Sequence, residues 1–305
     1  MNSLAGAEVI GVPTNSSGTA DGVALAPRVL RERGLAAALA GWLDVTDSGD
    51  LLLPPPMEHR GPSGLRNEDG LIALIQQVGA AVRAARQARR MPVLVGGDCP
   101  VLLGALAALQ EETEAGLLFV DGHEDAWPPG TSPTGEAADC ELGLALRLFD
   151  KDLSASLREV LPRLNSGHMA ALGPRDEDEL SRAGVASLAG RIGMLARPAD
   201  LGSRTAELTR AAVAALPDVW WLHVDLDVLA TSELTAVDYP QPGGLSWPQL
   251  DAITSTALAA PGCAGWSLCI YNPELDPART DADRIVSHIA RMSLALAKRR
   301  ISKSR

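Results

Sequence analysis

The sequence carries little positive charge. Its 305 residues include 27 Lys and Arg against 38 Asp and Glu, so the formal net charge is −11. A chain this acidic is a poor binder of nucleic acid. The exception is a basic C-terminal tail, made of Lys298, Arg299, Arg300, Lys303 and Arg305. We expect this tail to be solvated at the end of a helix, where cations suit the helix dipole.

Cysteines and long apolar runs are also scarce. The four cysteines, Cys99, Cys140, Cys263 and Cys269, show no disulfide-like framework, which favours reduced thiols in a cytoplasmic protein. The N-terminus lacks a basic segment followed by an apolar one, and no apolar run is as long as a membrane span. We therefore expect a cytoplasmic protein that has no membrane partner.

Short apolar runs alternate with longer stretches of helical periodicity. This alternation is typical of an α/β fold in which crossover helices join the strands of a parallel sheet. No repeat or low-complexity linker interrupts it, so we predict a single domain over residues 1–305. The predicted strands are Ala7–Val12, Pro92–Val95, Gly116–Val120, Met169–Leu172, Val219–Val224 and Gly265–Ile270. The predicted helices are Ala26–Ala40, Leu71–Arg90, Val101–Glu111, Ser203–Leu216, Trp247–Ala259 and Ala282–Ala297.

Three of the predicted strands are followed by blocks rich in acidic residues and glycine. The blocks are Gly96-Gly97-Asp98-Cys99, Asp121-Gly122-His123-Glu124-Asp125 and His223-Val224-Asp225-Leu226-Asp227. Ligands of open α/β sheets bind outside the carboxyl ends of the strands. We therefore expect these three blocks to meet at one edge of the sheet.

The spacing inside the blocks predicts a site for divalent ions. Asp121, His123 and Asp125 are two residues apart, as are Asp225 and Asp227, and such residues point the same way in extended backbone. Asp and His together suit ions such as Mn²⁺, and two ions about 3.5–4 Å apart can activate water. Each block alone is more often a turn or a solvated pair. Together, however, so many clustered carboxylates would be costly without a metal.

The three blocks resemble the signature blocks of the arginases and agmatinases, the ureohydrolase family. The supporting matches are Gly11-Val12-Pro13, Gly173-Pro174-Arg175-Asp176-Glu177-Asp178, Pro240-Gln241-Pro242-Gly243-Gly244 and Asn272-Pro273-Glu274-Leu275-Asp276. This resemblance runs along nearly the whole chain. It implies a three-layer αβα domain with a mainly parallel central sheet. It also implies a hydrolase in which metal-activated water attacks the guanidinium or amidine carbon of a small-molecule substrate.

The resemblance also implies a ligand set for two Mn²⁺ ions per chain. Carried over position by position, the implied ligands are Asp121, His123, Asp125, Asp225 and Asp227. Cys99 occupies the place of the family's first ligand, a histidine. A thiolate can bind a divalent ion and favours softer metals such as Zn²⁺ or Fe²⁺. We expect Cys99 to be a ligand; the alternative is an inert buried thiol beside a weak first metal site.

The family's proton-shuttle histidine has no counterpart here. The corresponding segment offers Glu136, Asp139 and Glu141 as candidate general acids near a metal cluster, provided that burial raises their pKa values. The alternative is that Asp139 and Glu141 cap the following helix. Both interpretations stay open at this stage.

Ile270 occupies the place of the family's guanidinium-anchoring glutamate. An apolar side chain cannot neutralise a guanidinium, and burying that charge unpaired is expensive. Either another acid, such as Glu124 or Glu274, pairs with the substrate, or the substrate is less basic than arginine. N-hydroxyguanidines, neutral amidines and formimino groups meet the second condition. The residues predicted to contact the substrate are Trp127, Asp178, Tyr271 and Glu274.

For two further residues, a structural role is as plausible as a functional one or more so. Asp178 can contact an amine of the substrate or belong to a solvated acidic loop. His223 can orient a metal ligand, although packing in the core is the more common role for such a histidine.

Two hypotheses follow for the function. The leading one is a manganese-dependent hydrolase that cleaves a C–N bond of a linear guanidine, N-hydroxyguanidine or amidine. The alternative is a catalytically silent metal-binding member of the fold that acts as a regulatory or assembly protein. The loss of the shuttle histidine and the guanidinium anchor motivates this alternative, whereas the five retained ligands argue against it. A homo-oligomer is compatible with either.

Overall fold

The computed structural model describes residues 6–41 and 44–302, with side chains described up to residue 297. Lys303 and Arg305 of the basic tail lie outside the described residues, and so do the side chains of the tail's other members. No helix within the described ranges is long and apolar enough to cross a membrane. All four cysteines are buried free thiols.

Eight parallel strands form the central sheet, in the order β2-β1-β3-β8-β7-β4-β5-β6. The strands are β1 (Gly6–Val12), β2 (Val45–Asp50), β3 (Arg90–Gly96), β4 (Gly116–Val120), β5 (Met169–Leu172), β6 (Met194–Ala196), β7 (Trp220–Asp225) and β8 (Cys263–Cys269). The six predicted strands are confirmed. The two that were not predicted lie at the edges of the sheet: β2 is polar and mostly exposed, and β6 has only 3 residues.

Helices cover both faces of this sheet, which confirms the predicted three-layer fold. The helices are α1 (Ala26–Glu32), α2 (Leu35–Ala40), α3 (Glu68–Gln87), α4 (Val101–Gln110), α5 (Glu141–Ala145), α6 (Ala155–Val160), α7 (Glu177–Ala183), α8 (Pro198–Leu201), α9 (Thr205–Ala214), α10 (Trp247–Ala259) and α11 (Thr280–Ser302). The helices α3 and α4 pack together, while α2, α9, α10 and α11 form a second connected group. Because crossovers between parallel strands are almost always right-handed, we expect these two groups to lie on opposite faces.

The first predicted helix is divided in two. Gly34 adopts φ 96° between α1 and α2, a conformation that favours glycine and ends the first helical segment. The other five predicted helices are confirmed with shifts of a few residues at their ends.

The central strands place the candidate site. The strands β4 and β7 are buried along their whole length, because helices cover both sides of the sheet. Their apolar side chains fix the register, so the polar residues begin where each strand ends. The carboxyl ends of β3, β4 and β7 therefore present the three acidic blocks at one edge of the sheet.

Candidate metal centre

The loop after β3 folds tightly against the loop after β1. A Cβ atom on Gly97 would lie 1.9 Å from the carbonyl oxygen of Thr14, so only glycine fits. The N–H groups of Ser16 and Cys99 donate to the carboxylate of Asp98. Asp98 therefore shapes the loop, and it is the Cys99 side chain that joins the candidate metal site.

Asp121 lies at the centre of this site. Its carboxylate belongs to three groups of potential ligands, and within each group the donor atoms lie within 4.8 Å of one another. Its partners in these groups are Cys99 with His223 and Asp225, His123 with Asp227, and Asp125 with Glu141. Asp121 is 1% exposed, and its Oδ2 atom has no hydrogen-bond partner in the described part of the chain. A divalent ion would satisfy this otherwise costly buried oxygen.

The prediction of extended backbone in the acidic blocks is wrong at Asp125 and at Asp227, although the side chains converge. Asp125 has φ 43°, so it turns away from His123 and the two residues join different groups around Asp121. In the third block, β7 ends at Asp225, and Asp227 lies in a 3-10 turn whose N–H donates to Asp225 Oδ1 at 2.8 Å. A left-handed residue and a turn therefore position these acids, rather than alternation along a strand.

The buried acids oppose one another's ionisation. Burial and the neighbouring Asp227 carboxylate raise the pKa of Asp121 to about 7. Burial likewise raises the pKa values of Asp125 and Asp225 well above their usual range. Asp227 is the exception. The Nδ1 atom of His123 lies 2.9 Å from Oδ2 of Asp227 and lowers the pKa of this carboxyl despite its burial. Without metal the cluster retains protons that a pair of cations would displace.

The Cys99 thiol and the His223 ring face the same group. Cys99 is 4% exposed, and its Sγ lies 2.5 Å from Oδ2 of Asp225. His223 is fully buried, stacks on Phe119 and has its Nδ1 atom 2.7 Å from Ser267 Oγ. Burial lowers the pKa of His223 to about 3, so the imidazole is neutral. His223 therefore packs in the core and also lies beside the proposed metal ligands.

The predicted general acids Glu136 and Asp139 differ in their surroundings. Glu136 is half-buried and accepts a hydrogen bond from the Tyr239 hydroxyl at 3.1 Å. Burial and nearby carboxylates raise the pKa of Glu136 to about 7. Asp139 instead accepts hydrogen bonds from the hydroxyls of Ser132 and Thr134, so its carboxylate holds its own loop together. Of this pair, Glu136 is the better placed to exchange a proton.

Glu141, the third predicted acid, is the first residue of α5 and is 0% exposed. No other residue in the described ranges donates to its carboxylate, so Glu141 does not cap the neighbouring N–H groups, although it lies in the first turn of α5. Its carboxylate instead faces Asp121 and Asp125.

The predicted substrate contacts lie in different settings. Trp127 is partly buried against the core, next to the Asp125 loop. Asp178 is exposed in the first turn of α7. Glu274 is also exposed, and one of its oxygens accepts a hydrogen bond from the N–H of Gly22 at 3.1 Å.

Tyr271 and Glu124 are engaged in internal contacts. Tyr271 is 0% exposed and its hydroxyl donates to Asp276 at 2.9 Å, so it belongs to the core and presents no surface to a substrate. Glu124 is 2% exposed and accepts hydrogen bonds from the Ser187 hydroxyl and the Leu188 N–H. Glu124 is therefore not free to take the place of the family's guanidinium-binding glutamate.

Ile270 directly follows the central strand β8 and has an unusual conformation. It is 5% exposed and has φ 70°, which is unfavourable for a β-branched residue. Its N–H donates to the carbonyl of Gly97 at 2.8 Å, which ties it to the loop that carries Cys99. An apolar side chain is thus fixed beside the metal-binding loops.

Arg175 has a positioning role that sequence reasoning missed. Its guanidinium donates to the backbone carbonyls of Asp227 at 2.8 Å and Gln241 at 3.1 Å, and to that of Pro242 at 3.1 Å. It therefore fixes the loop that follows the third acidic block. In the sequence, Arg175 stood out only as a member of the block that begins at Gly173. Hydrogen bonds to backbone carbonyls cannot be recognised from a sequence.

Fold and site together define a parallel α/β protein with candidate ligand groups for a binuclear metal centre. The profile of the arginase family matches residues 5–295. The chain therefore belongs to the arginase family, and it is a hydrolase that acts on C–N bonds of amidines.

Known relatives support this assignment. The arginase of Bacillus caldovelox is 27% identical over 284 residues, covering 92% of this chain and 95% of that protein. The N(omega)-hydroxy-L-arginine amidinohydrolase of Streptomyces lavendulae is 31% identical over 227 residues, covering 72% of this chain and 77% of that protein. The solved structure of the Bacillus caldovelox arginase shares the fold, with a TM-score of 0.80 at 23% identity, over 95% of this chain and 97% of the other.

Proposed function

We propose that this chain is a manganese-dependent hydrolase that cleaves a C–N bond in a linear N-hydroxyguanidine, amidine or weakly basic guanidine. The main support for this proposal is the group of buried potential ligands around Asp121. Their carboxylates oppose one another's ionisation, and Oδ2 of Asp121 has no hydrogen-bond partner among the described residues. Four Asp and one His are the donors that suit Mn²⁺. The proposed ligands of two ions per chain are Cys99, Asp121, His123, Asp125, Asp225 and Asp227.

When bound, a pair of divalent ions supplies Lewis acidity and lowers the pKa of water. The chain supplies the remaining functions. Glu136 gives its proton to the departing amine, for which a carboxyl with a pKa of about 7 is suited near neutral pH. Trp127 forms an apolar wall, and Asp178, exposed in α7, is the proposed contact of a distal amine.

Ile270 supports a substrate of low basicity. It offers no charge to a guanidinium, and Glu124, one of the acids that could replace the family's anchor, is already hydrogen-bonded. An N-hydroxyguanidine is less basic than arginine, so it loses less on entering an uncharged pocket. The Streptomyces lavendulae relative carries the name of an N-hydroxyarginine hydrolase. We further propose that the enzyme works in the cytoplasm, where its buried thiols stay reduced.

A substrate screen of the Mn²⁺-loaded protein tests this function. Urea, hydroxyurea, ammonia and formamide are scored separately for arginine, an N-hydroxyguanidine, a neutral amidine and a formimino compound. We expect turnover with a weakly basic substrate and none in an Asp227→Asn variant. A protein that holds two Mn²⁺ ions but hydrolyses nothing in this panel would instead support the silent regulatory alternative.

A further inference from the structure

Glu141 is a completely buried acid without a hydrogen-bond partner. It is 0% exposed, and no other residue in the described ranges donates a hydrogen bond to Oε1 or Oε2. An isolated buried carboxylate is strongly destabilising, so native proteins pair such a group, protonate it or give it a metal. A metal ion is a partner that would allow this acid to ionise where it lies.

The surroundings of Glu141 identify the missing partner as a cation. One of its oxygens lies within 4.8 Å of carboxylate oxygens from both Asp121 and Asp125. Three carboxylates at this spacing repel one another. Burial raises the pKa of Asp125, and Glu141 is the neighbouring charge that adds most to this rise. Burial and the Asp121 carboxylate are the largest causes of the raised pKa of Glu141.

The local backbone holds Glu141 against the Asp125 loop. The carbonyl of Asp125 accepts hydrogen bonds from the N–H groups of Leu142 at 3.0 Å and Gly143 at 3.1 Å. The N–H of Trp127 donates to the carbonyl of Asp139 at 3.0 Å. The start of α5 is thus bonded directly to the loop that carries a proposed metal ligand, so the approach of the two carboxylates is built into the fold.

We propose that Glu141 is a further metal ligand, which binds the same ion as Asp121 and Asp125. This inference rests on the metal centre of the proposed function. It adds a seventh protein ligand to Cys99 and the five that the family resemblance implies, and it removes Glu141 from the candidate proton donors. The added donor is a hard oxygen, in a site where Cys99 replaces an imidazole. The carboxylate of Glu141 would therefore supply a ligand that suits Mn²⁺, in place of the imidazole that Cys99 replaces.

The test compares the full-length wild-type protein with Glu141→Gln and Glu136→Gln. Mn²⁺ binding is measured by titration and elemental analysis, and the coupling between bound ions by electron paramagnetic resonance. We expect two ions per chain in the wild type and in Glu136→Gln. In Glu141→Gln we expect one of the two ions to bind at least about tenfold more weakly, since loss of residues that merely orient ligands already costs that much. The spin-coupled signal should give way to that of an isolated Mn²⁺ at one equivalent.

Thermal melting separates ligation from a structural role. Gln has the shape of the uncharged acid, so metal-free Glu141→Gln should be at least as stable as the metal-free wild type, while the rise in melting temperature on adding Mn²⁺ becomes smaller. A Glu141→Gln protein with a lower metal-free melting temperature and unchanged Mn²⁺ affinity would overturn the proposal. If Glu141→Gln does not fold, Glu141→Asp is used, and unchanged affinity together with an unchanged resonance signal overturns it equally.

These readouts do not depend on turnover. A wild type with two ions and no activity, combined with weak binding in Glu141→Gln, would reject the proposed function and retain the ligand. Equal Mn²⁺ binding in both proteins, combined with turnover, would reject the ligand and retain the function. A wild type that binds no metal would reject both.

Discussion

The Sγ atom of Cys99 lies 2.5 Å from Oδ2 of Asp225, across the gap between the ends of β3 and β7. This contact joins two acidic blocks that are 126 residues apart in the chain. A thiol held against a carboxylate of the candidate site is well placed to bind the same ion once its proton is lost.

We therefore expect Cys99→Ser to weaken the binding of one of the two ions by at least about tenfold. With Co²⁺ in the site, the wild type should show an intense thiolate-to-metal absorption band that Cys99→Ser lacks. Cys263→Ser is the matched control, because Cys263 is also buried but begins β8 at the amino edge of the sheet. Retention of two tightly bound ions and of the absorption band in Cys99→Ser would show that the thiol is inert.

Much of this site could be predicted from the sequence, for a physical reason. Residues that end buried strands are marked by the change from apolar to polar, as at Asp121 and Asp225, and parallel strands bring such ends to one edge. The edge strand β2 has no such mark, because its polar side chains face solvent. Glu141 is predicted from the sequence as a candidate general acid or a helix cap, but not as a metal ligand. Its lack of hydrogen bonds depends on backbone contacts between α5 and the Asp125 loop, which no local pattern encodes.

Ile270 should control the choice of substrate. We expect the wild type to prefer an N-hydroxyguanidine or a neutral amidine over arginine by at least about 100-fold in kcat/KM, since an unpaired buried charge costs about 3–5 kcal/mol. Ile270→Glu should raise the relative activity on arginine. Ile270→Gln has the same shape without the charge and should not. Rapid release of urea from arginine by the wild type would contradict this account of Ile270.

The plot of kcat/KM against pH should have a descending limb at high pH, caused by the deprotonation of Glu136. A general acid must be protonated, and burial raises the pKa of Glu136 to about 7, so kcat/KM should fall as the pH rises through about 7. Glu136→Gln should lose about 10²- to 10⁴-fold in rate and should lack this limb.

Tyr239 provides a finer test of the same acid. Its hydroxyl donates to Glu136 Oε2 at 3.1 Å, and this hydrogen bond favours the ionised form. Tyr239→Phe removes the bond, so the pKa of Glu136 should rise and the descending limb should move to higher pH. A limb that is unchanged in both Glu136→Gln and Tyr239→Phe would assign the titration to another group.

The metal-free protein should become less stable as the pH rises from about 5 to 8. Burial raises the pKa of Asp121 to about 7 and those of Asp125 and Asp225 well above their usual range. In the unfolded chain these carboxyls titrate near pH 4, so the folded state binds more protons between these values. The stability that this provides is complete below pH 4 and is lost as the pH rises through the folded-state values. Asp227, whose pKa is lowered, titrates below pH 4 and so does not alter the trend between pH 5 and 8. His223, whose pKa is lowered to about 3, opposes the trend only up to the unfolded value of a histidine, about 6.5.

Mn²⁺ should reverse this trend, because the ions replace the protons that the cluster loses. We expect the melting temperature of the chelated protein to fall between pH 5 and 8, and the rise on adding Mn²⁺ to be largest at pH 8. Asp225→Asn removes one of the titrating groups and should flatten the pH dependence of the metal-free protein. A metal-free melting temperature that rises steadily from pH 5 to 8 would mean that the acids of the cluster are not held protonated by their mutual repulsion and burial.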